Sequence, residues 1–204
     1  MIGIINYGLG NVKAFKNIYD RLNISSSIIE EPSDLKKVNK FILPGVGSFD
    51  SAMQLFTKNN FHRYVEELIF EEKIPILGIC IGMHIMTLSS EEGNLPGLGW
   101  IDAKVKKFKF NNKQYPLPHL GWNEIEVISN SPILKDIIDS EFYFLHSYYC
   151  ELNNKTLLLS TSHYGDFFCS SFYKENIYGI QFHPEKSHTS GLRILENFAK
   201  LTNA

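Results

Sequence analysis

Two kinds of apolar segment alternate through the first half of the chain. Met1 to Asn6 is a nearly unbroken apolar run closed by a glycine-containing turn, as expected of a buried strand. Val12, Phe15, Ile18, Tyr19 and Leu22 follow at helical spacing. Ser27 to Glu30 and Lys40 to Leu43 read as further short strands, and Phe49, Ala52, Met53 and Phe56 carry a helical period from Ser48 onward. Ile74 to Ile79 is again a strand, and Ile81 to Leu88 is predicted as a helix that starts immediately after Cys80. Strands joined by helical crossovers imply a parallel sheet.

From about Gly99 the texture changes to short β-rich segments: Trp122 to Ile128, Phe142 to His146, Leu157 to Ser162, Phe167 to Tyr173 and Ile177 to Phe182. These predict antiparallel additions. Leu192, Leu195, Phe198 and Leu201 give a final amphipathic helix packed on the sheet. The predicted fold class is therefore α/β, a mostly parallel central sheet flanked by helices with additional antiparallel strands in the C-terminal half. No internal repeat is visible, and no Pro/Gly/Ser-rich linker or charge block divides the 204 residues, so one domain spanning 1–204 is expected.

Composition adds mainly exclusions. With 44% hydrophobic and 13% aromatic residues the chain resembles an ordinary globular protein. Twenty basic residues against twenty-two acidic ones give a net charge of -2, which provides no broad cationic surface for nucleic acid. The densest basic stretch, Lys104 to Lys109, alternates partly with Val105 and Phe108 and suits the solvated face of a strand. No basic leader precedes the first apolar run, and no apolar run approaches about 18 residues, so a cytoplasmic protein without membrane contact is expected. Cys80, Cys150 and Cys169 are odd in number and widely spaced, which predicts free thiols and neither a disulfide framework nor a zinc site. The seven histidines include no H-x-x-x-H pair, so no metal and no cofactor are expected.

Three short motifs carry candidate chemistry. Gly78-Ile79-Cys80-Ile81-Gly82 places a cysteine between glycines where a strand meets a helix, the arrangement of a nucleophile elbow with sulfur in place of hydroxyl. A helix N-terminus favours thiolate there. Alone, such a cysteine is more often a small buried hydrophobe. Gln181-Phe182-His183-Pro184-Glu185 ends an apolar strand and puts a base, His183, beside a carboxylate, Glu185, that can orient its ring. Alone, it is more often a surface turn. Pro44-Gly45-Val46-Gly47 ends a third strand, where glycines let backbone N–H groups turn to a ligand; with the N–H of Ile81 they are oxyanion-hole candidates, the other reading being a plain loop. In an open α/β sheet the carboxyl ends of strands share one rim, so the three motifs can converge.

Together these motifs resemble the class I glutamine amidotransferases over nearly the whole chain. Asn6-Tyr7-Gly8-Leu9-Gly10-Asn11, Pro118-His119-Leu120-Gly121-Trp122-Asn123, His146-Ser147-Tyr148-Tyr149 and His183-Pro184-Glu185-Lys186-Ser187 look like one branch, the glutaminase subunits of imidazole glycerol phosphate synthase in histidine biosynthesis. The resemblance implies that Cys80 forms a glutamyl thioester, with His183 and Glu185 completing a triad, and that Gly45, Val46 and Gly47 match the oxyanion strand. It implies that Glu92 and the segment His146, Ser147 and Tyr148 contact the L-glutamine substrate. It also implies that Asn11, Trp122, Tyr143 and Lys186 face a (β/α)8-barrel cyclase subunit in a heterodimer that makes imidazole glycerol phosphate and AICAR.

Two positions depart from the pattern. Relatives usually carry glutamine four residues after the nucleophile, where this chain has His84, one helical turn beyond Cys80 and a candidate substrate contact. An imidazole cannot donate and accept in the fixed pattern of an amide, so substrate affinity is expected to differ. Leu88 stands where an acidic residue is common. Both leave open a paralogous glutaminase subunit feeding a surface-sugar amidotransferase, and a silent regulatory subunit is a further alternative, against which the intact triad argues.

Overall fold

The computed structural model describes residues 1–58, 60–110, 114–137 and 141–202. In chain order the elements are β1 (Ile2–Ile5), α1 (Val12–Arg21), β2 (Ser26–Ile29), β3 (Lys40–Gly45), α2 (Phe49–Lys58), α3 (Phe61–Phe70), β4 (Ile76–Cys80) and α4 (Ile81–Ile85). There follow β5 (Ser89–Ser90), β6 (Ala103–Lys107), β7 (His119–Glu124), β8 (Glu126–Val127), β9 (Glu141–His146) and β10 (Tyr148–Leu152). The chain ends with β11 (Leu158–Tyr164), β12 (Asp166–Lys174), β13 (Ile177–Ile180) and α5 (His188–Lys200).

The main sheet runs β2-β1-β3-β4-β13-β12-β10-β6-β5, with β11 paired to β12 and β8 paired to β11. Its first five strands are parallel. Strands β1, β3, β4 and β13 are buried along their whole length, which is why they read as continuous apolar runs rather than alternating ones. Beyond β13 the pairings β13/β12, β12/β10 and β10/β6 are antiparallel. The predicted α/β class, with a parallel core and antiparallel additions after it, is what forms.

Helix α1 packs on α5, and α2 packs on both α3 and α4. Each long helix buries one stripe: Phe15, Ile18 and Tyr19 on α1, Phe49, Ala52, Met53 and Phe56 on α2, and Ile194, Leu195 and Phe198 on α5. Among the described residues no helix is long and apolar enough to cross a membrane.

Several boundaries differ from expectation. Helix α3 was not anticipated, although Phe61, Val65, Leu68 and Ile69 form its buried face. Helix α4 ends at Ile85, not Leu88: the Thr87 N–H and hydroxyl both bond to the His84 carbonyl, and Leu88 N–H leaves to pair with Ala103 O. The segment Trp122 to Ile128 breaks at buried Ile125. Its first part lies in β7, which among the described residues pairs with β9 as a separate two-stranded sheet, and its last part gives β8 against β11. Strand β13 stops at Ile180, so Gln181 and Phe182 belong to the exit from the sheet. The basic stretch does form a half-solvated strand, with Lys104 exposed and Val105 buried.

One very tight backbone contact lies between β3 and the first turn of α4, where a β-carbon on Gly82 would sit 1.9 Å from the Leu43 carbonyl oxygen. Gly82→Ala must push these elements apart and is expected to destabilise the fold by about 3 kcal/mol in chemical denaturation. A variant unfolding at the parental denaturant concentration would contradict this packing.

Candidate active site

Strand β4 is the hub of the site. It lies between β3 and β13, with Gly45 opposite Cys80 and Ile180 opposite Ile79, so three sequence motifs meet at neighbouring strand ends. Cys80 adopts φ 53, ψ -110, a strained backbone for a residue with a side chain, held by close packing of Gly82 on β3. Gly47 has φ +101 with open space around it, so its glycine answers to conformation rather than to crowding.

A cavity of about 230 Å³ opens over Cys80 and is lined by Val46, Gly47, Ile81, His84, Glu92, His146, Ser147, Tyr148 and His183, with Pro118 and Leu145. Candidate residues scattered over more than a hundred positions are thus neighbours. Gly45 lies behind the lining, where an added β-carbon would meet Gly82 N at 2.6 Å.

His183 interacts with the Cys80 sulfur on one side and accepts the support of Glu185 on the other, Nδ1 lying 2.9 Å from Oε1. Both ring and carboxylate side chains are 3% exposed. Burial alone would discharge the imidazole; hydrogen bonding to Cys80 and Glu185, with their negative charge, outweighs it and raises the His183 pKa to about 10. The backbone that carries the ring is docked on β9: His183 N–H donates to Tyr143 O, Tyr143 N–H to Ser187 Oγ, and Ser187 Oγ to His183 O.

The other histidines here are neutral. Burial holds His84 and His119 at about 4 and puts His146 well below its ordinary value. Their tautomers follow from acceptors that cannot donate. His146 Nδ1 donates to Tyr148 O at 2.8 Å, so its Nε2 accepts from His119 Nδ1 at 2.9 Å. His119 Nε2 in turn accepts from Asn123 Nδ2 at 3.2 Å. The chain of bonds is one-directional and fixes the His146 ring against the cavity.

Glu92 accepts from Phe49 N–H at 2.9 Å, capping α2, and burial raises its carboxyl pKa despite that bond. Asp50 holds the same loop by accepting from Asn94 and Leu95 N–H. The remaining thiols lie opposite one another on β10 and β12, and burial pushes Cys169 up to about 12 and Cys150 well above its ordinary value. All three cysteines are free.

Trp122, Tyr143 and Lys186 form a surface ladder. The Trp122 ring meets Tyr143 edge-on at 6.1 Å and stacks on His188 at 5.0 Å, while Lys186 Nζ lies 5.2 Å from the Tyr143 ring centre. Asn11 is exposed at the start of α1, which packs against the Pro184–Lys186 turn. Among the described residues no cluster of potential metal ligands occurs.

Residues 4–201 match the family model described as glutamine amidotransferase class-I. The chain belongs to this family. Two similar relatives are the imidazole glycerol phosphate synthase subunit HisH of Leptospira borgpetersenii, 46% identical over 98% of this chain and 100% of the relative, and imidazole glycerol phosphate synthase subunit HisH 2 of Methanococcus maripaludis, 46% identical over 98% and 99%. A crystal structure of a glutamine amidotransferase superposes with TM-score 0.74 at 18% identity, covering 98% of this chain and 99% of the other, and so shares the fold. As a class-I amidotransferase, the chain is an enzyme that draws on the amide of glutamine.

Site residues missed from the sequence are Gln181, His119, Asn123, Ser187 and Asp50. Gln181 stands two residues before His183, the spacing that returns to the same side of an extended chain, and this was the available signal. The others depend on pairings such as His119 opposite His146, which no local pattern announces.

The raised His183 pKa sets a sign for folding. Stability from its charged form is whole below about pH 6.5 and is lost as pH rises through about 10. Glu185→Gln removes one charge partner and is expected to cost about 2 kcal/mol at neutral pH and to bring the alkaline decline to lower pH. Urea midpoints across that range check it, and parallel profiles for both proteins would count against it.

Proposed function

We propose that the chain is the glutaminase subunit of an imidazole glycerol phosphate synthase, hydrolysing L-glutamine with Cys80, His183 and Glu185 and passing ammonia to a separate (β/α)8-barrel cyclase in the cytoplasm. The observation that carries the reading is the buried juncture of Cys80, His183 and Glu185 beneath a cavity lined by the candidate substrate contacts. Two relatives that match over nearly their whole length bear that synthase's name, which supports the choice of branch.

In this mechanism the Cys80 thiolate attacks the carboxamide carbon of glutamine, and the carbonyl oxygen takes the negative charge. Backbone N–H groups of Val46, Gly47 and Ile81 serve that oxygen, each worth about 3 kcal/mol. His183, held in its charged form by its interactions with Cys80 and Glu185, protonates the departing nitrogen, and the C–N bond breaks to give ammonia and a thioester. The now neutral ring takes a proton from water, whose oxygen attacks the thioester and releases glutamate and thiolate. Glu185 holds Nδ1–H throughout, leaving Nε2 to the reaction. Glu92, His146, Ser147 and Tyr148 hold the amino-acid end of the substrate.

Ammonia set free in water is diluted and largely protonated, so a docked acceptor with a sheltered route is chemically expected. Asn11, Trp122, Tyr143 and Lys186 supply the docking face for the barrel. Cys80→Ala is expected to abolish glutamine-dependent synthesis by the assembled enzyme while leaving synthesis from added ammonium salts near the parental rate; loss of both activities would make Cys80 structural. Glutamate release by the isolated chain is expected to be slow and to rise at least about tenfold when the barrel subunit and its ligand bind. Equal high rates with and without the barrel would refute coupling.

A further inference from the structure

One buried side chain touches the nucleophile and has no place in the mechanism above. Gln181 lies between Cys80 and His84, with Nε2 3.7 Å from Cys80 Sγ and Oε1 2.7 Å from His84 Nε2. It is 0% exposed, His84 2% and Cys80 5%. Water therefore does not compete for either contact.

The direction of both bonds can be derived. An amide oxygen only accepts, so His84 donates from Nε2 and its Nδ1 is bare. The amide nitrogen only donates, so sulfur is the receiver. Turning the amide over would make His84 accept at Nε2 and carry its proton on Nδ1, a buried atom with no partner among the described residues. A stranded buried donor opposes that arrangement. Burial keeps the His84 pKa at about 4, so the ring stays a neutral single donor under ordinary conditions.

We propose that Gln181 is a positioning residue for Cys80, its N–H holding the sulfur in the attacking rotamer, and that His84 is there to lock the Gln181 amide. The relay runs His84 to Gln181 to Cys80 and approaches the sulfur as a contact separate from the His183 ring. On this account the unusual imidazole at position 84 serves the nucleophile, so its loss changes turnover rather than substrate affinity. The inference rests on the reading of Cys80 as the nucleophile.

The test uses Gln181→Met, which keeps length and removes the donor, His84→Phe, which keeps a ring and removes its proton, and the double variant. Each is assayed as glutaminase in complex with the barrel subunit, and each isolated chain is alkylated with iodoacetamide, with Cys80 followed by peptide mass spectrometry. Gln181→Met is expected to slow alkylation and lower kcat about tenfold, the worth of one hydrogen bond to a charged group, with KM within about twofold of the parent. His84→Phe should act in the same direction by about threefold, and the double variant should be no worse than Gln181→Met.

A folded Gln181→Met protein with parental alkylation and kcat overturns the relay, as does a rise in KM alone for His84→Phe, which would return position 84 to the substrate. If Gln181→Met does not fold, His84→Phe decides: unchanged alkylation rejects the proposal. Glutamine hydrolysis persisting in Cys80→Ala is a different result. It removes the nucleophile assignment itself, whatever the relay variants do.

Discussion

The Leu43 carbonyl and Gly82 approach so closely that no β-carbon fits between them, and the geometry of the site descends from that contact. Because α4 must start directly against β3, the chain has to reverse at Cys80, in a backbone region that residues with side chains rarely adopt. With β4 between β3 and β13, the P-G-V-G loop arrives on one side and His183 on the other. Two strands that are neighbours in space bring together motifs roughly a hundred residues apart in sequence without any long excursion of the chain.

Electrostatics then divides four imidazoles into two classes. His84, His119 and His146 are buried without an acidic partner and stay uncharged, since a desolvated cation without a partner is expensive. His183 is buried as well, yet two acidic partners make its cationic form the stable one. The same burial that silences three rings strengthens the pairing of the fourth, because charges attract more strongly where water is excluded.

The parts of the fold that were legible in sequence are those specified by local patterns. β1, β3, β4, α1, α2 and α5 each bury a continuous run or a single helical stripe, and these could be read directly. Helix α3 carried the same signal at Phe61, Val65, Leu68 and Ile69 and was overlooked beside the stronger run of α2. The early end of α4 was not readable, since it depends on Leu88 finding Ala103 across an intervening loop. The candidate triad could be proposed from sequence because elbow and H-P-E are compact motifs. The polar relays were not, because the directions of donors depend on strand register.

The separate sheet of β7 and β9 uses the strand period to give its two sides different work. His119, Asn123, Phe144 and His146 turn inward, whereas Leu120 and Trp122 turn outward, Trp122 being 45% exposed. The other tryptophan, Trp100, is 3% exposed and bonds to Glu66 far from that ladder. Of the chain's two indoles, one therefore lies in a packed interior and one at an open surface. Ultraviolet emission from such a pair has an internal reference: a body settling on the outer face of β7 and β9 would shift the colour of one emitter and leave the other as a constant against which the change is read.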